Sequence, residues 1–338
     1  MKNVLITGGT GFIGSHVVEA ILKNTDWNIT ILDRLDSTST PHRLIDIDIW
    51  NANKDRVKFV WWDLKAPINN FTAQKLGVPN YVLHLAASTH VDRSIEDPEL
   101  FVMDNVVGTL HLLQWALSQP SGEGFEKFNY FSTDEVMGSA PEGGNYEETD
   151  MTRPENPYAA SKLGAEALCH AFACTYGMPI FITRTMNVLG ERQHPEKFIP
   201  MCIRKIRDGE EITVHANKDL TKSGTRFYIH ARNVAAALLF LLEKGELLSK
   251  EDRCKGIYNI VGEKEISNED MVKLIAGFVG KEPKYELVDF HSSRPGHDLR
   301  YALDGTKLKN MGFDFPKTLE ESLKKTVEWY LQHDEWLQ

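Results

Sequence analysis

Thr7-Gly8-Gly9-Thr10-Gly11-Phe12-Ile13-Gly14 spaces Gly8, Gly11 and Gly14 as G-x-x-G-x-x-G between an apolar run and a helical pattern. The run before it, Lys2-Asn3-Val4-Leu5-Ile6-Thr7, is short, continuously apolar at its centre and closed by the glycine turn, which predicts a buried strand. Beyond the turn, Phe12, Ile13, Val17, Ala20 and Ile21 recur at helical spacing until polar Asn24 ends the run. A glycine pattern between strand and helix predicts a dinucleotide cradle, with glycines for the tight turn, for backbone approach to a pyrophosphate and for close helix packing. Gly8, Gly11, Phe12, Ile13 and Gly14 are the cofactor contacts expected there.

Working outward, Asn28-Ile29-Thr30-Ile31-Leu32 is the next strand and ends at Asp33, 19 residues after Gly14. A carboxylate at that point accepts hydrogen bonds from an adenosine ribose and repels a 2′-phosphate, so NAD is expected over NADP, although Arg34 stands beside it. Further strands are predicted over 57–62, 81–87, 125–132 and 179–185, with helices over 100–117 and 158–176 between them. Alternating strands and helices predict a parallel sheet covered on both faces, a doubly wound Rossmann-type α/β fold. After Gly190 the alternation lapses into polar loops such as 217–224 and 249–255. We expect residues 1–188 to form the NAD-binding domain and 189–338 mainly a smaller mixed α/β substrate-binding lobe. The apolar run Asn233 to Leu242 suggests that 225–245 returns to the first domain.

Composition limits the remaining classes. With 42% hydrophobic and 25% charged residues, the 338-residue chain has ordinary globular proportions. A formal charge of −10 disfavours nucleic acid and anionic membrane surfaces as partners, while leaving room for a local cationic pocket. Cys169, Cys174, Cys202 and Cys254 have no metal-ligand spacing, so neither a disulfide framework nor a metal site is expected. No uninterrupted apolar stretch approaches a membrane span, and a cytoplasmic location is the expectation.

Two further stretches carry chemistry. Tyr158-Ala159-Ala160-Ser161-Lys162 places a phenol and an ammonium one helical turn apart, where the cation would lower the phenol's pKa toward general-base work. Alone, Y-x-x-x-K is better explained as a solvated helix face. The strand ending at Ser132 runs into Thr133-Asp134-Glu135, at the sheet end where α/β folds hold ligands. Two adjacent carboxylates there are a solvated turn or, if they share a pocket, an acid and a base whose repulsion keeps them from ionising together.

Taken together, these residues resemble the extended short-chain dehydrogenase/reductase superfamily, and within it the nucleotide-sugar 4,6-dehydratases. The resemblance includes His84-Leu85-Ala86-Ala87, His90-Val91-Asp92-Arg93-Ser94-Ile95, Ser132-Thr133-Asp134-Glu135-Val136, Tyr158 with Lys162, Asn187, His194-Pro195-Glu196-Lys197-Phe198-Ile199-Pro200 and Arg294-Pro295-Gly296-His297-Asp298. It implies an internal redox cycle on a nucleotide-diphosphate hexose, most often dTDP-glucose. Tyr158, assisted by Thr133 and tuned by Lys162, would take the 4-hydroxyl proton as hydride passes to NAD. Glu135 would take the C5 proton, Asp134 would protonate the departing 6-hydroxyl, and hydride would return to C6.

The resemblance also implies that Asp63, Leu64, Ala86 and Ala87 join Tyr158 and Lys162 around the cofactor. It places Ser88, His90, Asn187, Glu196, Lys197, Phe198, Pro200, Arg226, Asn259, Arg294 and His297 around the sugar nucleotide. It further implies a homodimer in which the helices over 100–117 and 158–176 pair across a twofold axis. Departures are Met137 where the family commonly has Tyr, expected to reshape the cavity wall near the sugar, Ser88 for Glu, Gly190-Glu191 for Gly-Pro, and a divergent segment 35–51. A UDP-glucose 4,6-dehydratase is the nearest alternative, followed by a 4-epimerase, a decarboxylase or a non-catalytic NAD-binding protein.

Overall fold

The computed structural model describes residues 1–119, 125–289 and 300–338. All six expected strands are present: β1 (Asn3–Thr7), β2 (Asn28–Asp33), β3 (Val57–Trp61), β4 (Tyr81–His84), β5 (Lys127–Thr133) and β6 (Ile180–Thr185). A seventh, β7 (Ile257–Ile260), arrives from far down the chain and pairs with β6. All seven run parallel in the order β7-β6-β5-β4-β1-β2-β3. The order reverses between β1 and β4, and this switch point opens a crevice at the carboxyl ends of the strands.

The sheet is apolar because both faces are covered. On one face lie α1 (Phe12–Asn24) and a later helix, Ala231–Lys244, with Val17, Ile21, Leu238 and Leu241 fully buried against the strands. The other face carries α2 (Pro98–Leu117) and α3 (Pro157–Tyr176), which bury Leu112, Leu113, Ala165 and Cys169. Every residue of β4 and β6 is buried accordingly.

Helix α2 is long and apolar enough, by length and composition, to cross a membrane, which the search for an uninterrupted apolar stretch overlooks. Its apolarity has another use here, since Leu112, Leu113, Trp115 and Ala116 pack into the sheet core. Residues Val102–Val107 within it form a π-helical turn, a device often found at functional sites. The wider turn brings Asp104 and Asn105 inward. Asn105 accepts from Ser88 N–H at 2.8 Å and donates to Ser161 Oγ at 2.8 Å, tying α2 to α3 beside the crevice.

The rest of the chain forms a smaller mixed lobe over the strand ends. Helix α4 (Phe198–Asp208) packs with Asn268–Val279 and Leu319–Gln332 around Ile203, Met271 and Leu323. Glu211–Ala216 pairs in parallel with Lys284–Asp289, and Thr225–Phe227 pairs antiparallel with Glu265–Ser267. Between these segments the chain goes back to the main sheet as helix Ala231–Lys244 (α5) and then as β7.

Candidate active site

A cavity of about 950 Å³ lies between the carboxyl ends of the strands and the smaller lobe, and a second of about 120 Å³ continues it over β2 and β4. The glycine turn forms one wall. Gly8 has φ +71°, and a Cβ there would sit 2.9 Å from the Ala86 backbone. At Gly14 a Cβ would come within 2.1 Å of the Gly8 carbonyl oxygen. Gly11 caps α1 without a side-chain bond, so the helix begins with free amides at a cavity edge lined by Gly8, Gly11, Phe12, Ile13 and Gly14. Such a helix start attracts a phosphate.

Asp33, Asp63, Leu64, Ala86 and Ala87 line the smaller cavity, as expected for a cofactor's adenosine end. Asp33 does more than face it. One carboxylate oxygen accepts from Thr10 N–H at 3.2 Å and Thr10 Oγ1 at 2.6 Å, and the other accepts from Leu35 N–H at 3.0 Å. A carboxylate has about four acceptor sites, so Asp33 braces the glycine turn and keeps one site for a ribose hydroxyl. Arg34 also lines this cavity, but its guanidinium is committed to carboxylates: it forks onto Asp104 at 2.7 and 2.9 Å and donates to Asp36 at 2.9 Å.

Strand β5 delivers the reactive cluster. It ends at Thr133, and a short 3₁₀ turn, Asp134–Met137, follows. Thr133 Oγ1 accepts from Glu135 N–H at 3.4 Å and donates to Asp134 Oδ1 at 3.0 Å. Asp134 is buried, and its Oδ2 has no hydrogen-bond partner. Glu135 is half-buried and its Oε2 accepts from Asn156 Nδ2 at 3.0 Å. Burial pushes Asp134 up to about 6, and burial together with the charge of Asp134 pushes Glu135 up to about 7. The coupled pair therefore holds about one proton near neutrality. The charges of Arg226 and Lys197, which also line the cavity, act against the rise of Glu135, and that of Arg226 against the rise of Asp134.

Helix α3 brings Tyr158 and Lys162 to the same wall, but their electrostatics differ from the sequence-based expectation. Burial and the Glu135 charge push the Tyr158 phenol well above its ordinary range, opposed by a hydrogen bond with Thr133. The Lys162 ammonium is engaged with the strand rather than hydrogen-bonded to the phenol. Its Nζ donates to the Phe131 carbonyl at 2.6 Å and lies 4.5 Å above the Tyr130 ring, and burial lowers it to about 8. Four-residue spacing aligns the two Cβ atoms, whereas the long lysine stem carries its charge to the strand backbone.

Ser88, His90, Asn187, Glu196, Lys197, Phe198 and Arg226 all line the large cavity. Arg226 lies 4.8 Å over the Tyr301 ring and donates to the Thr225 carbonyl at 2.7 Å, which holds its guanidinium at the wall. Glu196 pairs with Arg93 at 3.3 Å at the open rim. Two expected contacts do not reach the cavity. Pro200 is buried in the first turn of α4, and Asn259 is fully buried on β7, donating to the carbonyls of Tyr146 and Asp304 at 3.1 Å each. Arg294 and His297 lie outside the described residues.

Met137 is likewise not on the cavity wall. It is 1% exposed, packs with Met186, Val261 and Leu303, and sets its Sδ 3.3 Å from Arg184 Nη1. Arg184 forks onto Glu166 at 3.2 and 2.8 Å beneath the site. Reading the sequence also misses Thr213, His215, Tyr228 and Asn268, which line the cavity from the smaller lobe, and Asn156 beside Glu135. Only Asn156 carries a local signal, a capping residue before Pro157 at a helix start.

Comparison with known proteins agrees with this geometry. Residues 4–260 match the model of the NAD dependent epimerase/dehydratase family. A trifunctional UDP-glucose 4,6-dehydratase/UDP-4-keto-6-deoxy-D-glucose 3,5-epimerase/UDP-4-keto-L-rhamnose-reductase of Arabidopsis thaliana is 36% identical over 99% of the chain, which spans about half (48%) of that relative. The dTDP-glucose 4,6-dehydratase of Shigella flexneri is 34% identical over 99% of the chain and 94% of its own length.

Among solved structures, DesIV, the dTDP-glucose 4,6-dehydratase of Streptomyces venezuelae with NAD and TYD bound, superposes with TM-score 0.86 at 32% identity, covering 99% of this chain and 98% of that one. The UDP-glucose 4-epimerase of Thermus thermophilus in complex with NAD gives TM-score 0.82 at 29% identity, covering 97% and 99%. The glycine cradle that any Cβ would fill, the ribose-facing carboxylate and the buried tyrosine-lysine pair fit NAD, and with the full-length likeness they settle the lineage: the chain belongs to the NAD-dependent epimerase/dehydratase family.

Proposed function

We propose that the protein is a nucleotide-sugar 4,6-dehydratase, acting on dTDP-glucose or the corresponding UDP-sugar. The observation that carries this reading is the Asp134–Glu135 pair, two carboxyls raised toward neutrality by a shared cavity wall beside Tyr158. Oxidation at C4 alone needs only a phenol. An acid and a base held together serve a further step, the removal of a C5 proton and protonation of the 6-hydroxyl as it leaves.

When bound, NAD supplies an acceptor and later a donor of hydride; Gly8, Gly11, Gly14, Asp33 and Asp63 would hold it. Tyr158 would remove the 4-hydroxyl proton while Thr133 fixes the phenol. Hydrogen bonding supports the other two roles. Asp134 Oδ2, buried without a hydrogen-bond partner, is open to hand a proton to the departing hydroxyl, so Asp134 would be the acid once the proton that burial and repulsion leave mainly on Glu135 has moved to it. Glu135 Oε2 is held by an N–H donor, which favours the ionised form, so Glu135 is the base. Arg226 and Lys197, cations on the same cavity wall, would receive the diphosphate.

A 4-epimerase is the second reading, favoured by the likeness to a structure of that activity. Incubation with a panel of nucleotide sugars and no added cofactor separates the two. Loss of water from the product mass is the expected result, with a label at C4 recovered at C6; an isomer of unchanged mass overturns the dehydratase reading. For assembly, we infer a homodimer through α2 and α3, supported by the exposed Leu100, Val102, Leu117 and Tyr176 on these helices. Sedimentation showing monomer alone overturns that assignment.

A further inference from the structure

We propose that Asn156 is a positioning residue of this reaction, one amide that caps helix α3 through its oxygen and fixes the orientation of the Glu135 carboxylate through its nitrogen. The inference rests on the dehydratase reading for the role of Glu135. Asn156 is 5% exposed. Its Oδ1 accepts from the Ala159 N–H at 2.8 Å, the usual N-cap bond, and its Nδ2 donates to Glu135 Oε2 at 3.0 Å. A flipped amide would set nitrogen against an N–H and oxygen against a carboxylate, so the two partners together define its orientation.

The choice of residue follows from this double task. Ser, Thr and Asp cap a helix about as well as Asn, but of these only Asn carries an N–H donor on the far side of the capping oxygen. Capping alone therefore does not explain why an amide stands here. The segment before α3 also lies along the acid-base turn: Arg153 N–H donates to the Val136 carbonyl at 2.9 Å, and Ser139 Oγ donates to Glu155 Oε2 at 2.8 Å. Tyr158 N–H, two residues into α3, is taken by Ser94 Oγ at 3.1 Å. The start of the Tyr158 helix and the Glu135 turn are thus built as one rigid piece.

Chemically, an amide donor suits a general base. It stabilises the carboxylate, opposing the burial and the Asp134 charge that push Glu135 upward, and cannot itself give up a proton at working pH. With Oε2 tied, Oε1 is the oxygen left for the sugar. An ammonium or guanidinium at the same place would lower the basicity of Glu135 too far.

The test uses the NAD-loaded full-length protein and two variants that keep the cap, Asn156→Ser and Asn156→Asp. Glu135 is followed by carboxyl-labelled glutamate NMR, with Glu135→Gln to assign its signal. We expect the Glu135 midpoint to rise by about one pH unit in the serine variant and further in the aspartate variant, where two carboxylates face each other. The acidic limb of kcat should move with it, giving about a fivefold loss at pH 7 in the serine variant that is recovered at higher pH, while KM stays close to wild type and the thermal midpoint does so at about pH 5, below the range in which Glu135 ionises.

An unmoved Glu135 midpoint in Asn156→Asp overturns the proposal. So does a loss of activity uniform across pH with the midpoint unmoved, which is the mark of a merely structural cap. If the wild-type protein releases no water from any nucleotide sugar while the variants still shift Glu135, the dehydratase reading fails and the Asn156–Glu135 coupling stands.

Discussion

The two ends of the cavity are held by different physics. At the glycine turn the shape is steric: backbone meets backbone, with no room for a methyl at Gly14 and little at Gly8. At the acid-base turn the shape is polar: Thr133, Asn156 and two buried carboxyls hold one another through hydrogen bonds and shared charge. A steric site fails when atoms are added, and at every pH. A polar site fails when a donor or charge is changed, and its failure depends on pH.

The largest expected break in this contrast is Glu135→Gln. Removing a general base lowers kcat by about 10³-fold, within the usual range for proton transfer, while NAD affinity, read by calorimetry, should stay within about twofold. Loss of NAD binding in that variant would merge the two ends into one unit. Next comes Gly14→Ala. A methyl 2.1 Å from the Gly8 oxygen forces the turn apart, so a stability loss of about 3 kcal/mol and weaker NAD binding at all pH values are expected from denaturant titration and calorimetry.

The third effect has the opposite sign. Glu135 is raised to about 7 in the folded protein, above its ordinary value, so the folded state binds more protons than the unfolded one between about pH 4 and 7. Stability therefore falls as pH rises through that window and levels off above it. Glu135→Gln should be more stable than wild type at pH 8 by about 2 kcal/mol, with the gain vanishing toward pH 4. Denaturation curves at both pH values check this; a pH-independent difference would show that burial of this charge does not govern the turn.

The smallest expected effect sharpens the boundary of the site. Met137→Leu replaces a buried thioether beside Arg184 at similar volume, so a stability change under about 1.5 kcal/mol and an unchanged KM for the sugar nucleotide are expected. A changed KM would put position 137 back on the cavity wall.

The steric end was legible in the sequence and the polar end only in part, for reasons the same contrast explains. Glycines at fixed spacing between strand and helix leave few backbone solutions, and six strands with their buried runs followed from apolar pattern alone. The seventh, Ile257–Ile260, has four residues and stands apart from the alternating region, where periodicity has no leverage. Tyr158, Lys162, Asp134 and Glu135 were nameable from residue type and order. Where Lys162 carries its charge, which oxygen Asn156 holds, and that Pro200 and Asn259 are buried away from the cavity depend on long-range packing that spacing along the chain does not encode.

The route of the chain after Gly190 has a consequence for how such a protein can be taken apart. Because α5 and β7 go back to the sheet between segments of the smaller lobe, with Leu238 and Tyr258 in the same buried cluster, no single cut yields two self-sufficient halves. A split before β7 would strip the sheet of an outer strand or a covering helix, and a split after it would divide the core of the smaller lobe. Exchange of substrate preference between relatives of this architecture is therefore expected to proceed by point changes along the cavity wall rather than by swapping an intact cassette.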